Sequence, residues 1–144
     1  MTVAGILNKK GGAVLTVSQT AQISEAVAKM HRERVGALVV SSDNRTLQGI
    51  VSERDILAAL ATHGAALMNM KVEDIMTRRV ESCTPEDSLK RVMSTMTQRR
   101  FRHMPVMGDD GLCGMVSIGD VVKQRLEEAE LETNVAREVL ILSR

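Results

Sequence analysis

Apolar and polar positions follow two rhythms along this chain, a helical one and a strand one, and they come in the same order twice. Residues 3–9 place apolar side chains at helical spacing, and Gly11-Gly12 breaks the run. Val14–Val17 reads as a short strand. From Thr20 to Arg34, Ile23, Ala26, Val27 and Met30 recur at the spacing of an amphipathic helix, with charge between them, and Gly36 is expected to end it. Ala37–Val40 is a buried-strand run. A turn cluster over 41–45 joins it to a returning strand, Leu47–Val51, and Ser52 opens a helix to about His63. The short stretch His63–Lys71 is expected to be ordered.

The second half repeats the order. Val80–Ser82 is the strand, Pro85 falls near the first helical turn, and Glu86 to Arg99 is the helix. Arg102–Met107 and Leu112–Val116 form the hairpin, and the last helix runs from Ser117 towards Leu142. The repetition extends to residue types. Gly49-Ile50-Val51-Ser52-x-x-Asp55 returns 65 positions later as Gly114-Met115-Val116-Ser117-x-x-Asp120. Upstream the offset is 66, with Arg34 matching Arg100 and Val40 matching Val106. A duplication makes each half a structural unit and places a pseudo-symmetric cleft between them. The last helix outruns its counterpart. Val122, Leu126, Ala129, Thr133, Ala136 and Leu140 step by four and three, a seam that either lies on its own domain or meets a second subunit.

Composition narrows the function. Net charge is +1 and Phe101 is the lone aromatic residue, which argues against nucleic acid. Ten Met residues leave an adaptable core. No apolar run reaches membrane-spanning length, and the N-terminal residues lack a signal-peptide pattern. Cys83 and Cys113 form neither a disulfide framework nor a metal spacing, so a reducing, cytoplasmic setting is expected. No nucleophile–base set points to catalysis, and no ligand cluster points to a metal.

The candidate chemistry lies in the repeat. Serine with an acid three residues later at a strand-to-helix junction is a capping box. The same carboxylate can accept hydrogen bonds from the two hydroxyls of a ribose, and the helix start offers backbone donors to a phosphate. Arg102 and His103 have Gly36 and Ala37 at the matching places of the first half. The two sites are therefore expected to be unequal, with the anion-binding half the second. Arg54, matched by Gly119, partly compensates on the other side. Lys9 and Lys10 read as surface residues.

With these motifs and with Gly36–Val40 and Arg102–Val106, the chain resembles the tandem cystathionine-β-synthase (CBS) domain proteins, or Bateman modules, over roughly residues 3–126. The resemblance implies an α+β fold of two β-α-β-β-α units about a pseudo-two-fold axis. The units would be residues 1–66 and 67–126, with a helical extension over 127–144. It implies a non-catalytic regulatory module that binds an adenosyl ligand: AMP, ADP or ATP, or else NAD(H) or S-adenosylmethionine. By resemblance, Asp120 and Ser117 would hold one ribose, Thr16, Val17, Val35 and Gly36 the adenine, and Arg102 and His103 the phosphate. The mirror site would use Asp55 and Ser52, with Ser82, Cys83 and Phe101 around the base. A homodimer acting on an unidentified protein target is expected. The alternative is a ligand-free interaction protein docking to an enzyme or transporter.

Overall fold

The computed structural model describes residues 1–11 and 14–143. Gly12, half of the expected Gly11-Gly12 break, lies outside the described residues. Among the described residues, five helices and five strands follow one another as α1 (Val3–Lys10), β1 (Thr16–Val17), α2 (Ile23–Glu33), β2 (Ala37–Val40), β3 (Gly49–Ser52), α3 (Glu53–His63), α4 (Leu89–Arg99), β4 (His103–Gly108), β5 (Gly111–Ser117) and α5 (Ile118–Leu142). Two short 3-10 segments, Gly64–Asn69 and Val72–Asp74, bridge the halves. One sheet has the order β1-β2-β3, with β1 parallel and β3 antiparallel to β2, and the other is the antiparallel pair β4-β5.

The repeat is legible in the hydrogen bonding. Val17 pairs with Val40 in the first sheet. The counterpart of this pairing, Cys83 with Val106, is a single parallel bridge. The strand expected over 80–82 is therefore reduced to one paired residue at 83. The helices also start later than expected. Asp87 accepts from the Thr84 backbone N–H at 2.9 Å, so Pro85 belongs to a turn, and Ser88 caps α4. Arg34, not Gly36, ends α2, and Arg100 ends α4. Both adopt left-handed backbone, with φ of 56° and 58°, at matching positions.

Side-chain burial divides into two cores, and each reaches across the boundary between the repeats. The first gathers Ile23 and Met30 from α2, Leu38 and Val51 from the sheet, and Leu67, Val72 and Met76 from the bridging segment. The second gathers Met96, Met104, Val116 and Val121, together with Val3 and Ile6 of α1. The first helix therefore serves the second core. Its backbone contacts repeat those of the bridging segment. Val3 N–H donates to Asp87 O at 3.0 Å and Leu89 N–H to Met1 O at 3.2 Å. Val72 N–H donates to Ala21 O and Ile23 N–H to Met70 O, both at 2.8 Å. Each unit is thus completed by the segment that precedes the other unit in sequence.

The repeated glycines mark where these segments cross. A Cβ on Gly49 would lie 2.8 Å from Thr77 O, and one on Gly114 2.5 Å from the Leu7 side chain. Ala37 and Val39, on the face of β2 opposite Leu38, are also fully buried, as a strand between two layers must be. The Arg45 carbonyl in the first hairpin turn accepts from Leu112 N–H at 2.8 Å, tying the sheets together at their tips.

α5 leaves the body of the molecule. Only Val121 and Gln124 are buried along its length, and the Val122-to-Leu140 seam is exposed. Beyond Glu128 it does not lie on its own domain.

Candidate functional site

Both helices that follow the repeated motif begin with the same device. At α3, Ser52 Oγ accepts from Asp55 N–H at 3.2 Å, and Asp55 Oδ2 accepts from Ser52 N–H at 2.9 Å. At α5, Ser117 Oγ accepts from Asp120 N–H at 3.1 Å, and Asp120 Oδ2 accepts from Ser117 N–H at 2.9 Å. Capping accounts for one carboxylate oxygen in each case and fixes the side chain at the helix mouth. The preceding carbonyls are used identically. Gly36 O accepts from Glu53 N–H at 3.0 Å, and Arg102 O from Ile118 N–H at 2.8 Å.

The Asp55 corner opens into a cleft of about 480 Å³. Ser52, Asp55, Arg54 and Ile50 form one side, and Thr77, Arg79 and Val80 come from the segment that crosses Gly49. The opposite wall is Arg100, Phe101, Arg102 and His103, from the α4–β4 corner of the other half. Arg54 Nη1 donates to Arg100 O at 3.1 Å, joining the walls. Asp55 Oδ1 takes a long 3.3 Å hydrogen bond from Thr77 Oγ1, so this oxygen faces the cleft with only a weak partner. Four guanidinium groups border the space. Glu81, which also borders it, is paired with Arg99 at 3.3 Å. A carboxylate with one lightly held oxygen, an aromatic side chain and four arginines thus line one cleft. A larger hollow, about 830 Å³, opens between α2 and α3 around Val27, His31, Val35 and Leu57, but lacks this set.

These positions extend the expected grouping. The sequence places Arg102 and His103 with Asp120. They also line the Asp55 cleft, where the α4–β4 corner of one unit meets the β3–α3 corner of the other, while His103 pairs across the hairpin with Ser117 of the Asp120 corner. The first half therefore does not lack basic residues. Phe101 and Asp55 line the same cleft, whereas Ser82 is exposed and Cys83 is buried in the second core, away from the lining. Thr77, Val80 and Glu81 take that place. Thr16 sits at the sheet edge with its hydroxyl on Asn44, Val17 lies within the first core, and Val35 lines the outer hollow. Gly36 alone of that quartet reaches the cleft. A Cβ there would stand 3.3 Å from the His103 ring and 3.5 Å from the Glu53 carboxyl.

The Asp120 corner is different. Its carboxylate is held by Lys10 from the end of α1, Nζ to Oδ2 at 2.8 Å. Burial acts to raise the Asp120 pKa, but the Lys10 bond and charge and the Ser117 N–H and hydroxyl outweigh it and hold the acid below its ordinary value. Beside it Lys9 bonds Gln124 at 3.0 Å and Glu127 at 2.9 Å, fastening α1 to α5. His103 lies between the corners. Burial lowers its pKa, and Glu53 and Asp120 oppose Lys10 and Arg102 around it. Thr77, Arg79, Arg100 and Lys10 were not read as site residues from sequence. Their signal was faint: Thr77, Arg100 and Lys10 meet partners in the opposite half, and Arg79 sits in an irregular segment.

The pattern of the CBS domain matches residues 4–62 and again residues 72–127. The chain belongs to the CBS-domain family. The CBS-domain protein CBSX3 of Arabidopsis thaliana, named as mitochondrial, is 38% identical over 135 residues, 88% of this chain. The chain spans 66% of the length of that relative and less of the next two. Among solved structures, the CBS-domain protein ATU1752 of Agrobacterium tumefaciens superposes with a TM-score of 0.83 at 39% identity, over 87% of this chain and 99% of that one. The CBS protein PAE2072 of Pyrobaculum aerophilum, solved with AMP, gives 0.77 at 26% identity, over 92% and 99%. The two CBS units are thus the two halves of the repeat. No described helix is long and apolar enough to cross a membrane. Among the described residues no group of three or more His, Cys, Asp or Glu could hold a metal ion.

Proposed function

We propose that this CBS pair is a regulatory module whose Asp55 cleft binds an adenine nucleotide and whose occupancy is read by a partner protein. The observation that carries the reading is the convergence of Asp55 Oδ1, Phe101 and the Arg79, Arg100 and Arg102 side chains on one open space. Asp55 would accept from the ribose hydroxyls, Phe101, Val80 and Ile50 would cover the base, and the arginines would take the phosphates by bidentate contact. The AMP held by the Pyrobaculum relative supports the ligand class. Asp120 is the pseudo-symmetric mate and, with Lys10 on it, the weaker site. The module regulates and does not catalyse. Whether AMP, ADP, ATP, NADH or S-adenosylmethionine is preferred is decided by calorimetry on ligand-stripped protein. Asp55→Asn, which keeps a capping oxygen, should weaken the tighter event about ten- to a hundredfold, the cost of a charge-assisted hydrogen bond. Asp120→Asn should leave that event in place. No heat from any of the five ligands would remove the reading.

A second feature favours self-association. Leu57 and Leu60 on α3 and Val122 and Leu126 on α5 are exposed at the outer face of the two units. A second copy covering them would form a closed two-fold pair. Light scattering should then give twice the 15.7 kDa chain mass. A monomer at low micromolar concentration would exclude the pairing and leave this face for the partner.

A further inference from the structure

The two corners share a frame but differ in what fills it. At the first, Thr77 N–H donates to Ile50 O at 2.9 Å, and Thr77 Oγ1 donates to Asp55. At the second, the Lys10 ammonium makes both bonds by itself: to Met115 O at 3.1 Å and to Asp120 Oδ2 at 2.8 Å. Ile50 and Met115 are repeat partners, as are Asp55 and Asp120. A full positive charge thus replaces a neutral hydroxyl at one corner of an otherwise duplicated site.

The chemical consequence concerns the tail of the ligand. Ser117 N–H and Lys10 both bond Asp120 Oδ2, so a ribose diol that engages the two carboxylate oxygens together must displace Lys10 from Oδ2. The Lys10 side chain is 43% exposed on a flexible four-carbon stem, so leaving these two bonds requires no movement of the backbone. If the ligand ends in a phosphate, the displaced ammonium gains a new anion. If it ends in a neutral group, the ion pair is broken without replacement. We infer that Lys10 is a specificity-determining residue, which makes the Asp120 corner selective for phosphorylated over unphosphorylated adenosyl ligands. The inference rests on the nucleotide reading of the CBS clefts.

The test compares AMP with adenosine, which share base and ribose. Calorimetry is run on the full chain carrying Asp55→Asn, so that the Asp120 corner is observed, with and without Lys10→Met. Met keeps the stem and removes the charge. Lys10 should give a preference for AMP that falls about tenfold in Lys10→Met, the loss of one charge-assisted contact, and returns in Lys10→Arg. The same pair of ligands on an Asp120→Asn background should show no effect of Lys10→Met. An AMP-to-adenosine ratio indifferent to residue 10 overturns the role of Lys10 and leaves the nucleotide reading standing. Absence of binding on the Asp55→Asn background, with or without Lys10, removes the Asp120 corner as a site and the inference with it. The Asp120→Asn background then reports separately on the Asp55 cleft.

Discussion

The Asp55 and Asp120 corners are repeats of one backbone frame and differ in the side chains that meet their carboxylates. Each keeps the glycine that admits a crossing segment, the serine–aspartate capping box, and the carbonyl that receives the first helical N–H. What changed is the crossing segment itself. Thr77 leaves Asp55 lightly held and the cleft open, whereas Lys10 closes an ion pair over Asp120. Duplication preserved the scaffold because every part of it carries packing or backbone hydrogen bonds. Divergence was cheap only where a side chain meets solvent at the edge of the cleft.

The comparison can be broken most forcefully in the cores. Leu38 on β2 and Met104 on β4 are repeat partners, both buried. Leu38→Ala and Met104→Ala should each lower stability by about 2–5 kcal/mol, from lost transfer energy and residual cavity. Because α1 and the bridging segment interlock the units, either change should shift a single urea unfolding transition. Two separate transitions would show that the halves fold independently.

A smaller difference is expected at the repeated glycines. Gly49→Ala sets a methyl against the Thr77 backbone oxygen, which cannot move without the crossing segment, and should cost about 1–3 kcal/mol. Gly114→Ala meets only the end of Leu7, which can turn aside, and should cost less. Thermal melts of the two variants rank them; equal midpoints would show that the crossings are equally rigid.

The smallest effect separates the corners by pH. His103 is held below its ordinary value of 6.5, chiefly by burial. Between that lowered value and 6.5 the unfolded chain takes the proton more readily than the folded one. Stability from the neutral ring is therefore complete above this window and declines as pH falls through it. His103→Gln should flatten that decline in melts taken on either side of pH 6.5, and a steeper slope in the variant would contradict the assignment.

Much of the fold could be read from the chain, and the reasons are local. The hairpins, α2, α4 and both capping boxes rest on contacts within a few residues, where periodicity and turn chemistry act directly. The second β1 equivalent is shorter than its sequence suggests: Val80 and Glu81 have strand-like neighbours, but only Cys83 meets a partner. The identity of the site carboxylates was legible too, since a repeated motif marks them. Their company was not. Arg102 and His103 follow α4 in sequence but face the first unit across the axis, and Lys10 belongs to a helix that serves the second core. Such pairings depend on which segment crosses to which half, and no spacing in the sequence encodes it.

That crossing also bears on how the protein is made. Leu7 and the Gly114 it covers are more than a hundred residues apart, so a ribosome has built most of the chain before α1 has anything to cover. An eight-residue helix is not stable by itself in water. The first unit can close once Met76 has emerged, with Val3 and Ile6 still waiting unfolded beside it. Lys10 reaches Asp120 only after that, so the latch on the second corner forms later than the closure of the first unit.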